Sequence, residues 1–181
     1  RYFIHDAMRG IEYLCTRPEV DPARIGITGN SGGGTQTSLL MVCDPRVAAA
    51  APATFIMNRR TYLYTGGAQD SEQIWPGMTE VGFDHEDILM AMAPRPVLVL
   101  AASSDFFPIE GTRKTFERVQ RFCKMYGREN DLLLFTDNSD HHYTRAMAKT
   151  AARFFSHHLL GKSVSVRDDE IKPIDPSLLW C

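Results

Sequence analysis

The stretch "RIGITGNSGGGTQT", residues 24–37, constrains the fold more than any other. A short β-branched run enters a glycine-rich turn and leaves it into "TQTSLLMVC", whose Leu39, Leu40 and Cys43 suit a buried helix. Strand, tight turn and helix in that order are one step of a parallel sheet. Within the turn, Gly29, Asn30, Ser31, Gly32 and Gly33 match G-x-S-x-G. A serine on so sharp a turn sits in a strained backbone conformation, and small flanking residues relieve clashes with the strand and helix. The same turn projects the serine Oγ above the carboxyl edge of the sheet. It also aims the amide of Gly32 at the place where an oxyanion would form. Two phosphate-loop readings compete and fail. A Walker loop needs lysine after Gly34, where Thr35 stands, and the glycines at 29, 32, 33 and 34 miss the dinucleotide spacing.

The rest of the chain repeats the alternation. Phe3, Ala7, Ile11 and Leu14 recur at helical spacing and predict an amphipathic helix over 2–16, stopped by "TRPEVDP". "RVAAAAPATF" (46–55) reads as a buried strand, although its alanines fit a helix as well by propensity. "RPVLVLAAS" (95–103) is a continuous apolar run, as in a strand covered on both faces. A helix follows over 110–126, with Phe116, Val119, Phe122 and Cys123 on one face. "DLLLFT" is a fourth strand, and a helix over 143–160 turns Ala146, Ala151, Phe154, Phe155 and Leu159 inward. The expected fold is α/β, a three-layer α/β/α arrangement around a mostly parallel sheet. Residues 1–165 form the domain, and 166–181 an extended, proline-broken tail. Residues 56–93 are a long insertion with a short helix near "DHEDILMAM"; loops of such length in a compact domain are functional or disordered, and its aromatics favour an ordered cover over a pocket.

A chain of 181 residues is long enough to bury a sizeable core, and a formal net charge of −2 gives no electrostatic case for nucleic acid or an anionic membrane surface. No apolar run reaches membrane-spanning length, and no signal peptide is visible. Cys15, Cys43, Cys123 and Cys181 lack C-x-x-C spacing, and three lie in apolar helical stretches, so buried free thiols are favoured over a disulfide framework or zinc site. Compartment and oligomeric state stay open.

Serine is a poor nucleophile at neutral pH and needs a base oriented by an acid, here in the chain order Ser, Asp or Glu, His. Asp105 follows the strongest strand, and His141 follows the last one in "TDNSDHHYTRAM". Carboxyl-end loops would bring both beside Ser31, at the sheet edge where ligands bind in doubly wound folds. Each has a plainer alternative: Asp105 as the cap of the turn in "SSDFFP", and His141 and His142 as solvated loop residues or, with Asp140, half of a metal site. No further histidine lies at ligand spacing, so neither metal nor cofactor is expected. Asp137 and Asp140 share a loop with the histidines, and Asp84 and Glu86 lie in the insertion; all four rank below Asp105. Tyr62, Tyr64, Trp75 and His142 are candidates for substrate binding, with ordinary packing as the alternative for the three aromatics.

With these residues placed, the chain resembles the α/β-hydrolase superfamily, and within it the dienelactone-hydrolase-like and acetyl xylan esterase-like serine esterases. The resemblance rests on "TRPEVDPARIGITGNSGGGTQT", "DHEDILMAMAPRPVLVLAASSDFFPIEGTRK" and "DHHYTRAMAKTAARFF", and covers most of residues 1–160. It implies Ser31 as nucleophile, Asp105 as acid and His141 as base, with Gly32 as an oxyanion donor. His142 precedes Tyr143 where relatives carry a small residue, which leaves a swap between His141 and His142 open. The resemblance implies a small-molecule or carbohydrate ester as substrate, with a short acyl group such as acetyl favoured; a prolyl-oligopeptidase-type peptidase and an inactive binding module are the alternatives. It also implies about eight strands, with the nucleophile on the fifth, whereas one helix precedes it here. Only the second half of the sheet is therefore expected, without the loop that carries the second oxyanion donor. "RIGIT" would then be an unpaired edge, and the stretch expressed alone is expected to be nearly inactive or to aggregate.

Overall fold

The computed structural model describes residues 2–67 and 69–179. Ten main elements alternate: α1 (Tyr2–Cys15), β1 (Ile25–Asn30), α2 (Gly32–Cys43), β2 (Val47–Ala53), α3 (Arg59–Tyr64), α4 (His85–Met92), β3 (Val97–Ala102), α5 (Ile109–Met125), β4 (Leu132–Asp137) and α6 (Arg145–Leu160). The four strands form one sheet in the order β1-β2-β3-β4, every pair parallel. Among the described residues β1 pairs on one side only, as the sequence predicts.

The pleat sorts the core into two layers. On one face Ile25, Val47, Ala50, Val97, Val99 and Leu132 meet α1, α2, α4 and α5; on the other Ala49, Ala51, Leu98, Leu100 and Ala102 meet Met147, Ala151 and Phe154 of α6. The alanines of β2 let helices approach the sheet from both sides. Their pairing with β1 and β3 decides between the two propensity readings in favour of strand. The three-layer α/β/α fold is as expected.

Several local expectations change. In α1 the inward stripe is Ile4, Ala7, Met8, Ile11 and Cys15, while Phe3 and Leu14 are exposed. Two phases of the same periodicity were available, and contact with α2 selects this one. Cys123 is buried, Cys15 half-buried and Cys43 exposed, all three as free thiols; Cys181 lies outside the described residues. The insertion is largely ordered structure. Asp84 caps α4 with a reciprocal capping box and also accepts the Arg59 amide at 3.3 Å, tying the starts of α3 and α4 together. The tail is not wholly extended, because Asp168–Glu170 and Pro176–Leu179 form single 3₁₀ turns. No described helix is long and apolar enough to cross a membrane.

Candidate active site

At the carboxyl end of β1 the chain turns into α2 through Ser31, whose φ of 55° and ψ of −117° lie in a region a residue with a side chain rarely adopts. The turn is held from outside. The Ser31 amide donates to the Ala53 carbonyl at 3.1 Å and to Thr54 Oγ1 at 3.0 Å, and Thr54 Oγ1 donates in turn to Asn30 Oδ1 at 2.8 Å. The Ser31 carbonyl accepts the Thr35 amide at 2.8 Å, the first turn of α2. Thr54 has a positive φ of 49° and is buried. Two strained residues therefore brace each other across the β1 and β2 ends. Thr54 is a site residue the sequence reading missed, since nothing in "APATF" marks a threonine that must leave the β region.

The glycines divide unequally. A Cβ on Gly29 would stand 2.5 Å from the Gly33 carbonyl oxygen, and one on Gly34 would run into the Ala53 carbonyl oxygen, whereas one on Gly33 would meet nothing within 4 Å. Steric need falls on the first motif position and on the residue after the last. Gly32 opens α2, where the first amides have no partner within the helix.

The loops after β3 and β4 are zipped together. The Ser103 and Ser104 amides donate to the Asp137 and Ser139 carbonyls, each at 2.9 Å, extending the parallel ladder beyond the sheet. Thr144, the N-cap of α6, donates to Asp137 Oδ2 at 2.5 Å, and the Tyr143 and Thr28 hydroxyls lie 2.8 Å apart. Between these ties His141 Nδ1 stands 2.8 Å from Asp105 Oδ1. The Asp105 side chain is 2% exposed and the His141 side chain 22%. Asp105 Oδ1 also accepts the Phe107 amide at 3.1 Å, so the turn-cap role and the partnership with histidine coexist in one oxygen. An ionised carboxylate at Nδ1 fixes the tautomer with the proton on that nitrogen and leaves Nε2 as the basic atom. Nε2 is buried with no hydrogen-bond partner among the described residues; a Ser31–His141 hydrogen bond is therefore not closed here.

His142 is exposed and pairs with Asp140, so the geometry gives Asp105 to His141. Trp75 stacks on Phe83 at 5.7 Å and, with Gly32, Gln36, Ser71, Glu72 and Phe3, lines a cleft of about 960 Å³ beside the turn. Tyr62 is buried against Phe107 at 5.4 Å. Burial pushes its phenol pKa up, helped by the charges of Asp70 and Asp105. Tyr64 is exposed and borders a separate hollow with Arg60, Leu63 and Phe83. Of the three aromatics, Trp75 shares this cleft with Gly32 and Gly33 of the turn. Among the described residues no cluster of three or more His, Cys, Asp or Glu side chains is arranged to hold a metal ion.

A parallel sheet flanked on both faces, with a strained serine after its first strand and a carboxylate and a histidine after its third and fourth, defines an α/β-hydrolase. The family is the prolyl oligopeptidase family, to which this chain belongs: its sequence profile matches residues 2–161. No curated protein sequence matches the chain. Among solved structures, a methylesterase superposes with a TM-score of 0.72 at 20% identity, over 98% of this chain and 39% of its own. A carbohydrate esterase family 15 glucuronoyl esterase from Caldicellulosiruptor kristjansonii gives 0.71 at 18% identity, over 96% of this chain and 54% of its own. The glucuronoyl esterase catalytic domain from Hypocrea jecorina gives 0.72 at 19%, over 95% and 54%. The chain thus spans between about two fifths and just over half the length of these structures. The resemblance read from the sequence holds at the level of the superfamily.

Proposed function

We propose that the chain carries the catalytic residues of a serine hydrolase that cleaves carboxylic esters of carbohydrates through an acyl-enzyme. The observation that carries this reading is the 2.8 Å contact of His141 with buried Asp105, on the sheet edge where Ser31 is held strained. Ser31 Oγ attacks the ester carbonyl carbon while His141 Nε2 takes its proton. The Gly32 amide donates to the resulting oxyanion, and Asp105 stabilises the imidazolium and keeps its orientation. Collapse of the tetrahedral adduct breaks the carbonyl–alkoxy bond, and Nε2 returns the proton to the leaving alcohol. Water then attacks the acyl-enzyme by the same route, releasing the acid and restoring Ser31.

The carbohydrate ester assignment draws support from the neighbours, which are named glucuronoyl esterases and a methylesterase. A short acyl group such as acetyl on a carbohydrate is the alternative form of that substrate. A peptidase is the second reading, favoured by the family name alone. A panel of an acetylated xylan, a methyl ester of glucuronic acid and a prolyl peptide amide, assayed on the intact protein, separates these. The expected result is hydrolysis of one of the two esters, abolished in Ser31→Ala, with the amide untouched. Cleavage of the amide alone, or ester turnover that survives Ser31→Ala, contradicts the proposal.

A further inference from the structure

Two phenylalanines follow Asp105 and do different things. Phe107 is 3% exposed and rooted in the core, edge-on to Phe55 at 6.3 Å and packed on Tyr62 at 5.4 Å. It also reaches the His141 ring at 5.6 Å. Phe106 lies on Phe107 at 4.7 Å and on the His141 imidazole at 4.2 Å with a 35° tilt, yet remains 54% exposed. Bracing of the histidine from the core is thus already provided by Phe107. Phe106 adds an apolar surface that faces outward beside the base. Its position is not free to drift: the Phe107 amide is bonded to the same Asp105 oxygen that His141 uses.

We infer that Phe106 is a specificity-determining residue for the leaving group, a platform on which a ring carried by the departing alcohol rests. The inference depends on the ester hydrolase reading above. In that reaction the leaving oxygen receives its proton from His141 Nε2, so the atoms attached to that oxygen lie against whatever flanks the imidazole. The flanking surface here is Phe106. A sugar ring or an aromatic ring presents a flat face of C–H or π character that an exposed phenyl ring receives by burial and stacking. A methyl alcohol is too small to use it. Acyl groups lie on the far side of the scissile carbonyl and do not report on it.

The test compares methyl and benzyl esters of one acyl group, acetate or glucuronate as the panel above selects, in the intact wild-type protein, Phe106→Ala and Phe106→Tyr. The ratio of kcat/KM for benzyl over methyl should fall about tenfold in Phe106→Ala, a loss of the size expected for one stacked ring. It should stay near the wild-type ratio in Phe106→Tyr, which keeps the ring. Equal losses on both esters in Phe106→Ala, with the ratio unchanged, would make the residue a brace for His141 and overturn the inference. Phosphonylation of Ser31 by a fluorophosphonate with a fluoride leaving group separates the two failures. Labelling with an unchanged ester ratio overturns the role of Phe106 alone, whereas no labelling in any variant removes the hydrolase reading and this inference together.

Discussion

At Ser31 the backbone strain and the chemistry belong together, and single substitutions resolve which atoms bear the strain. The contacts of the turn predict an uneven response along "GNSGGG". Gly29→Ala and Gly34→Ala each force a carbonyl to move and should cost about 2 kcal/mol or more of unfolding free energy. Gly33→Ala meets open space inside a helix and should be neutral or stabilising by up to about 1 kcal/mol. Denaturant unfolding of the three variants checks the order. Asp105→Asn keeps the shape but loses the charge that fixes the His141 tautomer, and should lower kcat by roughly 10³–10⁴-fold with little change in fold. Steady-state kinetics beside circular dichroism checks it. The residues that matter here were unequally visible beforehand. Ser31, Asp105 and His141 stand in motif context at strand ends, whereas Thr54 and Phe106 act through a dihedral angle and a ring stack that no pattern encodes.

Between elements, the site depends on how the loops after β3 and β4 are tied. Tyr143 and Thr144 anchor the histidine loop to β1 and to the end of β4, and Thr144 also accepts the Met147 amide at 3.1 Å as the N-cap of α6. Thr144→Ala should therefore cost about 1 kcal/mol of stability through the lost cap. It should also lower kcat more than it raises KM, because the loop that positions His141 loses its tie to Asp137. A rise in KM alone would argue that the loop is held elsewhere. Element identity was legible in the sequence because a parallel sheet buried on both faces demands continuous apolar runs, and "PVLVLAA" is one. The inward face of α1 was not, because "YFIHDAMRGIEYL" offers apolar residues in two neighbouring phases. The structure of the insertion was hidden too, since the Asp84 carboxylate that joins α3 to α4 spans a gap of 25 residues to the Arg59 amide it accepts.

For the whole molecule, acid stability should decline through two overlapping windows. His85 is buried against Phe55, accepts the Met57 amide on Nδ1, and has its pKa driven down to about 3 by burial, with Arg59 adding to the effect. The unfolded chain takes up that proton near pH 6.5 and the folded chain does not, so stability is full above about 6.5 and falls as pH drops toward 3. At pH 5 the loss relative to pH 7 should be about 2 kcal/mol. His85→Gln, which retains an acceptor for Met57, should flatten this limb. At the other end of the sheet, hydrogen bonds from Arg46 hold the buried Asp44 carboxyl below its ordinary value. Its contribution is present above about pH 4 and lost only as pH falls through the lowered value. Urea titrations at pH 7, 5 and 3.5 on the wild type and His85→Gln separate the two windows.

The central claim is that Ser31 is a nucleophile activated by His141 and Asp105. Reaction of the intact protein with a fluorophosphonate, followed by peptide mass mapping, tests it without knowledge of the substrate. The account predicts one phosphonyl group per chain, located on Ser31, absent in Ser31→Ala and slowed at least about 100-fold in His141→Ala. Labelling at a different residue, or labelling of Ser31 at an undiminished rate without His141, would contradict it.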